Sequence, residues 1–168
     1  MLRNLVLAAV LLVTVPAFAL PPAFREVTSK IYRGGRPKGG DLQDLYDRGI
    51  DKIVDLENDA KLVRAEAARA ADLGLKFVNV PLNASEIPTD AEVDRVVANL
   101  IDARAAKSYV HCQRGKDRTG LVVAIYRITR QGWTPADAWH EMLADGFSRK
   151  YAKPLEDYFR ARTGYRGN

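Results

Sequence analysis

Val110-His111-Cys112-Gln113-Arg114-Gly115-Lys116-Asp117-Arg118-Thr119-Gly120 runs from an apolar segment through a cysteine and a glycine-centred turn into a helical pattern. Ser108 to His111 reads as a short strand that feeds directly into Cys112. Arg118 to Arg130 reads as a helix whose buried face is Leu121, Val122, Ile125 and Ile128. The stretch therefore lies where a strand ends and a helix begins, which is where ligands bind in an α/β sheet.

The flanking sequence supplies the rest of such a sheet. Lys30 to Arg33 and Leu75 to Val80 read as strands, and so does Ile50 to Leu56 with Ile53, Val54 and Leu56 inward. Helical patterns alternate with them. Asp41 caps a short helix with apolar face Leu42, Leu45 and Tyr46, and Asp59 to Leu73 is rich in alanine, arginine and glutamate. Thr89 and Glu92 have capping-box spacing ahead of a helix over Asp90 to Ala105. Thr134-Pro135 opens a helix over Ala136 to Asp145, and a last one covers Pro154 to Arg162. Leu20 to Val27 is an extended lead-in, and Gly34 to Gly40 is a loop. Strand–helix alternation predicts a single α/β domain with a mainly parallel central sheet flanked by helices.

The loop from Cys112 to Arg118 is suited to a phosphate. Successive N–H groups between a strand and a helix N-terminus point at one concavity, and the helix dipole adds positive potential there. A cysteine on its floor feels the same field, which favours the thiolate. Arg118, six positions on, can fold its planar fork back over a tetrahedral anion, a two-point grip that lysine lacks. Gly115 permits close approach or a positive φ, and Gly120 lets the helix start close to the sheet. A nucleotide P-loop is excluded, because Gly115-Lys116 is followed by Asp117 and Val110 stands where the first glycine belongs.

His-Cys-x-x-Gly-x-x-Arg-Thr-Gly resembles the signature of the protein tyrosine phosphatase superfamily, and the chain's size is similar to that of the dual-specificity branch. Ile31 to Pro37 and the segment from Gly132 to Met142 also resemble bacterial members, so the likeness covers about residues 30 to 146. The resemblance implies a metal-independent phosphomonoester hydrolase with no cofactor. Cys112 would attack phosphorus, a general acid would protonate the leaving oxygen, and water would hydrolyse the cysteinyl-phosphate. Arg118 and the N–H groups of Gln113, Arg114, Gly115, Lys116 and Asp117 would bind the phosphate, and Thr119 would support the departing thiolate.

The chain departs from that pattern at the general acid. The family's usual aspartate belongs on a loop upstream of the cysteine, here Pro81 to Pro88, which has none. Asp117, inside the cradle, is the first candidate, Glu86 the alternative, and Asp90 the third. His111 reads as a structural residue that positions the loop, His140 as structural, and Trp133 and Trp139 as core. Arg33, Arg36 and Lys38 either extend the anion site or lie on a solvated loop. Arg114 and Lys116 add cations at the rim, which favours inositol phosphates or phosphoinositides over a lone phosphotyrosine. No His/Cys/Asp cluster with metal-ligand spacing is apparent.

The N-terminus differs from the rest. Arg3, an apolar run from Leu5 to Val15 broken only by Thr14, and Ala17-Phe18-Ala19 form the three parts of a secretory signal, with cleavage after Ala19. The run is too short to span a bilayer as a stable anchor. Domains are therefore 1–19, signal peptide, and 20–168, phosphatase, acting in the periplasm or outside the cell. An exported chain with one cysteine has no intramolecular disulfide partner for it. Nucleic acid is excluded as a partner, since no basic helix stands out in a chain of net charge +5, and a monomer is expected. Sulfur transfer and arsenate reduction want another loop length or a resolving cysteine. A catalytically silent anion-binding module is the alternative function, disfavoured because binding alone does not need a thiol.

Overall fold

The computed structural model describes residues 20–101, 105 and 107–167. The signal segment expected over residues 1 to 19 lies outside the described residues. Five strands form the sheet: β1 Arg25–Thr28, β2 Ile31–Gly35, β3 Lys52–Asp55, β4 Lys76–Asn79 and β5 Ser108–Cys112. The helices are α1 Asp41–Asp47, α2 Ala60–Asp72, α3 Asp90–Leu100, α4 Asp117–Gln131, α5 Pro135–Ala144 and α6 Lys153–Thr163. The strand order is β1-β2-β5-β3-β4, with every neighbouring pair parallel except β1 against β2.

The cysteine strand is central, and all five of its residues are buried. Alternation along a strand sends side chains to opposite faces. Val110 and Cys112 join the core with Val54, Leu121, Trp139 and Phe159, whereas Tyr109 packs with Leu42, Leu45, Ile53 and Leu75. Each large apolar side chain buried in these layers stabilises the fold by roughly 1.5–3 kcal/mol. Two helix starts follow their sequence signals. Thr89 N donates to Glu92 Oε2 at 2.7 Å while Glu92 N donates to Thr89 Oγ1 at 3.3 Å, and Asp137 N donates to Thr134 Oγ1 at 3.1 Å.

Some expectations are corrected. The lead-in contains a strand, β1, which pairs with β2 through Arg25–Arg33 and Glu26–Tyr32. Tyr46 is 48% exposed, because the apolar side chains α1 turns inward are Leu42 and Leu45. α3 stops at Leu100, short of Ala105. Gly120 admits α5 as well as the sheet: a Cβ there would lie 3.1 Å from Met142 Cγ and 3.7 Å from Arg33 Nη2 of β2.

Candidate active site

The register β2–β5 sets Gly34 beside His111 and Gly35 beside Cys112, so the loop leaves the sheet next to two residues without side chains. That matters at the loop's apex. Gly115 has φ +72°, and a Cβ on it would fall 2.2 Å from the carbonyl carbon of Gly34, so both reasons for glycine apply. Beyond the apex, α4 begins at Asp117 after Lys116, which offers no side-chain cap. Among the described residues, no acceptor lies on the backbone N–H groups of residues 113 to 116. Free N–H groups at a helix start form an anion cradle.

Cys112 is 3% exposed at the base of this cradle and carries no disulfide. Arg118, also buried, is anchored from behind. Its Nη1 donates to Leu56 O at 2.9 Å and Leu82 O at 3.2 Å, and its Nη2 lies 3.5 Å from Glu57 Oε1. Glu57, just past the end of β3, also lies 3.8 Å from Arg36 Nη1. Thr119 Oγ1 is fully buried with no hydrogen-bond partner among the described residues. Gln113, Arg114 and Lys116 are exposed on the rim.

The candidate acids separate. Asp117 is buried, accepting from Ser148 N through Oδ1 at 2.8 Å and from Arg114 Nη2 through Oδ2 at 3.2 Å. It thereby ties the cradle to the segment between α5 and α6. Glu86 accepts from Asn83 Nδ2 at 2.7 Å on a loop whose Leu82 carbonyl meets Arg118. Asp90 is turned to α6, where Tyr158 Oη donates to it at 2.9 Å and Arg162 pairs with it at 2.6 Å. Those two bonds hold its carboxyl below the usual carboxylate range.

Behind the nucleophile, His111 is fully buried, with Nε2 2.8 Å from Glu66 Oε1 and Nδ1 3.8 Å from Asp55 Oδ1. Burial pushes the Asp55 carboxyl up to about 6, against the opposing pull of His111. These three residues bring possible metal-ligating atoms within 4.8 Å of one another, a cluster the sequence did not reveal because β3, α2 and β5 each supply one member. Both imidazole nitrogens and Glu66 Oε1 are buried without a hydrogen bond of good geometry among the described residues.

The remaining basic residues divide. Arg33 is buried and faces Gly115 and Asp145 rather than solvent. Arg36 and Lys38 line a cavity of about 490 Å³ together with Arg114 and Lys116. Trp139 is core, Trp133 is half-buried under the Arg127 guanidinium, and His140 is exposed rather than packed inside.

A parallel sheet whose central strand delivers a cysteine into a loop closed by a returning arginine defines a dual-specificity-like domain of the protein tyrosine phosphatase superfamily. The family described as "DSP-PTPase phosphatase fused to NAD+ Kinase" matches residues 23–154, and the chain belongs to that family. The dual specificity protein phosphatase TpbA of Pseudomonas aeruginosa (strain UCBPP-PA14) is 31% identical over 118 residues, 70% of this chain and 51% of that protein. An inositol diphosphatase of Arabidopsis thaliana, DSP3, is 29% identical over 121 residues, 68% of this chain and 58% of that one. The chain thus spans about half the length of the curated relatives it matches. The crystal structure of P. aeruginosa TpbA in complex with phosphotyrosine superposes with a TM-score of 0.71 at 25% identity, covering 82% of this chain and 83% of that one.

Proposed function

We propose that this protein hydrolyses phosphorylated substrates through a cysteinyl-phosphate on Cys112. The observation that carries the reading is the placement of Cys112 beneath a loop of free N–H groups, with Arg118 braced against Leu56, Leu82 and Glu57. In the first step a sulfur–phosphorus bond forms, the bond to the leaving oxygen breaks, and the acid's proton goes to that oxygen. In the second step water attacks phosphorus, its proton returns to the acid, and the sulfur leaves beside Thr119. The N–H groups and the Arg118 fork take up the equatorial charge in both transition states.

Asp117 is the proposed acid, because it stands in the cradle; Glu86 is the second reading, favoured by the contact of its loop with Arg118. The basic cavity of Arg36, Lys38, Arg114 and Lys116 beside the cradle supports substrates with more than one phosphate, such as inositol phosphates. The likeness to an inositol diphosphatase points the same way, and that to a protein phosphatase supports phosphoprotein as the other class. We further propose that residues 1–19 are a cleaved signal and that the enzyme acts after export, supported by Arg3, the apolar run and Ala17-Phe18-Ala19. Phosphate release from phosphopeptides, inositol phosphates and phosphoinositides, with chelator present, is the test. Turnover across one of these classes is expected, and turnover of none would remove the assignment.

A further inference from the structure

Arg33 is among the most deeply buried charges in the described structure, 2% exposed, and the mechanism above does not use it. It stands on β2, the strand against which the loop apex rests. Its Nη2 donates to the carbonyl of Gly115 at 2.9 Å, and its Nη1 pairs with Asp145 Oδ2 at 2.5 Å. Asp145, just past the end of α5, has a side chain only 5% exposed and also pairs with Arg25 of β1. In a trans peptide the carbonyl and the following N–H point in opposite directions across one plane. Anchoring Gly115 O on the Arg33 guanidinium therefore turns the Lys116 N–H away from that guanidinium, and this N–H has no acceptor among the described residues.

We propose that Arg33, held by Asp145, is a positioning residue of the phosphate cradle: it fixes the Gly115–Lys116 peptide so that the Lys116 N–H faces the bound phosphoryl group. A free carbonyl at this position could rotate inward and oppose an anion, and the buried guanidinium prevents that. Burial lowers the pKa of Arg33, while Asp145 and Glu141 act in the opposite sense. Arg33 touches neither substrate nor solvent, and its effect runs through the loop.

The test is calorimetric binding of inorganic phosphate to the wild type, Arg33→Lys and Asp145→Asn across a range of salt, with unfolding midpoints recorded alongside. Arg33→Lys keeps the charge but cannot serve both acceptors. Affinity is expected to fall about ten-fold, the worth of one misdirected charge-assisted bond, in variants that remain folded. The slope of log Kd against log salt is expected to match the wild type, because no ligand contact is lost. A folded Arg33→Lys that binds phosphate like the wild type overturns the proposal. If Arg33→Lys does not fold, the isosteric Asp145→Asn decides by the same criteria. The proposal rests on the phosphate cradle but not on turnover, so a protein that binds phosphate and hydrolyses nothing fails the phosphatase reading alone.

Discussion

Replacing Arg118 by lysine keeps the positive charge and removes the planar fork. In the folded protein one nitrogen, Nη1, satisfies two buried carbonyls, those of Leu56 and Leu82. Arg118 is only 9% exposed, so water does not readily replace it there. Leu56 O also accepts from Leu82 N at 3.2 Å, so Leu82 O is the carbonyl that a shorter ammonium would leave without a donor, and a buried acceptor left unpaired costs about 1–3 kcal/mol. A stability loss of about 2 kcal/mol follows. The proposed mechanism makes the kinetic effect larger, because Arg118 would there lose its grip on two equatorial oxygens in the transition state; losing one oxyanion donor alone costs about 3–4 kcal/mol, or two to three orders of magnitude in kcat. The assay is kcat/KM on an aryl phosphate, with thermal unfolding run on the same preparation. An Arg118→Lys variant within a few-fold of wild-type kcat/KM would refute the assignment of the arginine to the transferring phosphoryl group.

Other perturbations test separate parts of the site. Asp117→Asn is expected to depress hydrolysis of alkyl phosphates far more than that of an activated aryl phosphate, since only a basic leaving oxygen needs a proton; equal losses on both would move the acid role away, and the same leaving-group pattern in Glu86→Gln would place it upstream. Asp55, raised to about 6, favours folding fully below the ordinary carboxylate range and loses that contribution as pH rises through about 6. Asp55→Asn should therefore gain on the wild type by roughly 3 kcal/mol between about pH 4 and pH 7 in chemical denaturation, whereas parallel stability curves would contradict a buried, raised carboxyl. Lys38→Ala is expected to raise KM a few-fold for multiply phosphorylated substrates only, and the effect should fade at high salt as screening sets in; equal effects on a singly phosphorylated aryl substrate would remove the basic cavity from substrate binding.

The local part of this site was legible in the sequence, because strand, cysteine, turn glycine and helix start are contiguous from Ser108 to Arg130. Thr89 and Thr134 showed their caps for the same reason: a capping bond closes within three residues. What escaped notice depends on contacts distant along the chain. Glu57 looked like any residue after a strand until the fold set it between Arg118 and Arg36. The sequence left Arg33 between the anion site and a solvated loop, because nothing near it announces Gly115, 82 positions away. β1 was hidden by its brevity and by the prolines before it; antiparallel pairing with β2 makes it a strand. Tyr46 has the spacing of an inward residue, but α1 is too short to bury more than one side.

The central claim is that Cys112 carries the phosphoryl group between the two steps. Rapid-quench mass spectrometry of the protein turning over an aryl phosphate, followed by peptide mapping, measures it directly. The account expects phosphate on the peptide containing Cys112, formed in a burst with the first equivalent of product and absent in Cys112→Ser. Sustained turnover by Cys112→Ser, or a phosphorylated residue elsewhere with Cys112 unmodified, would contradict it.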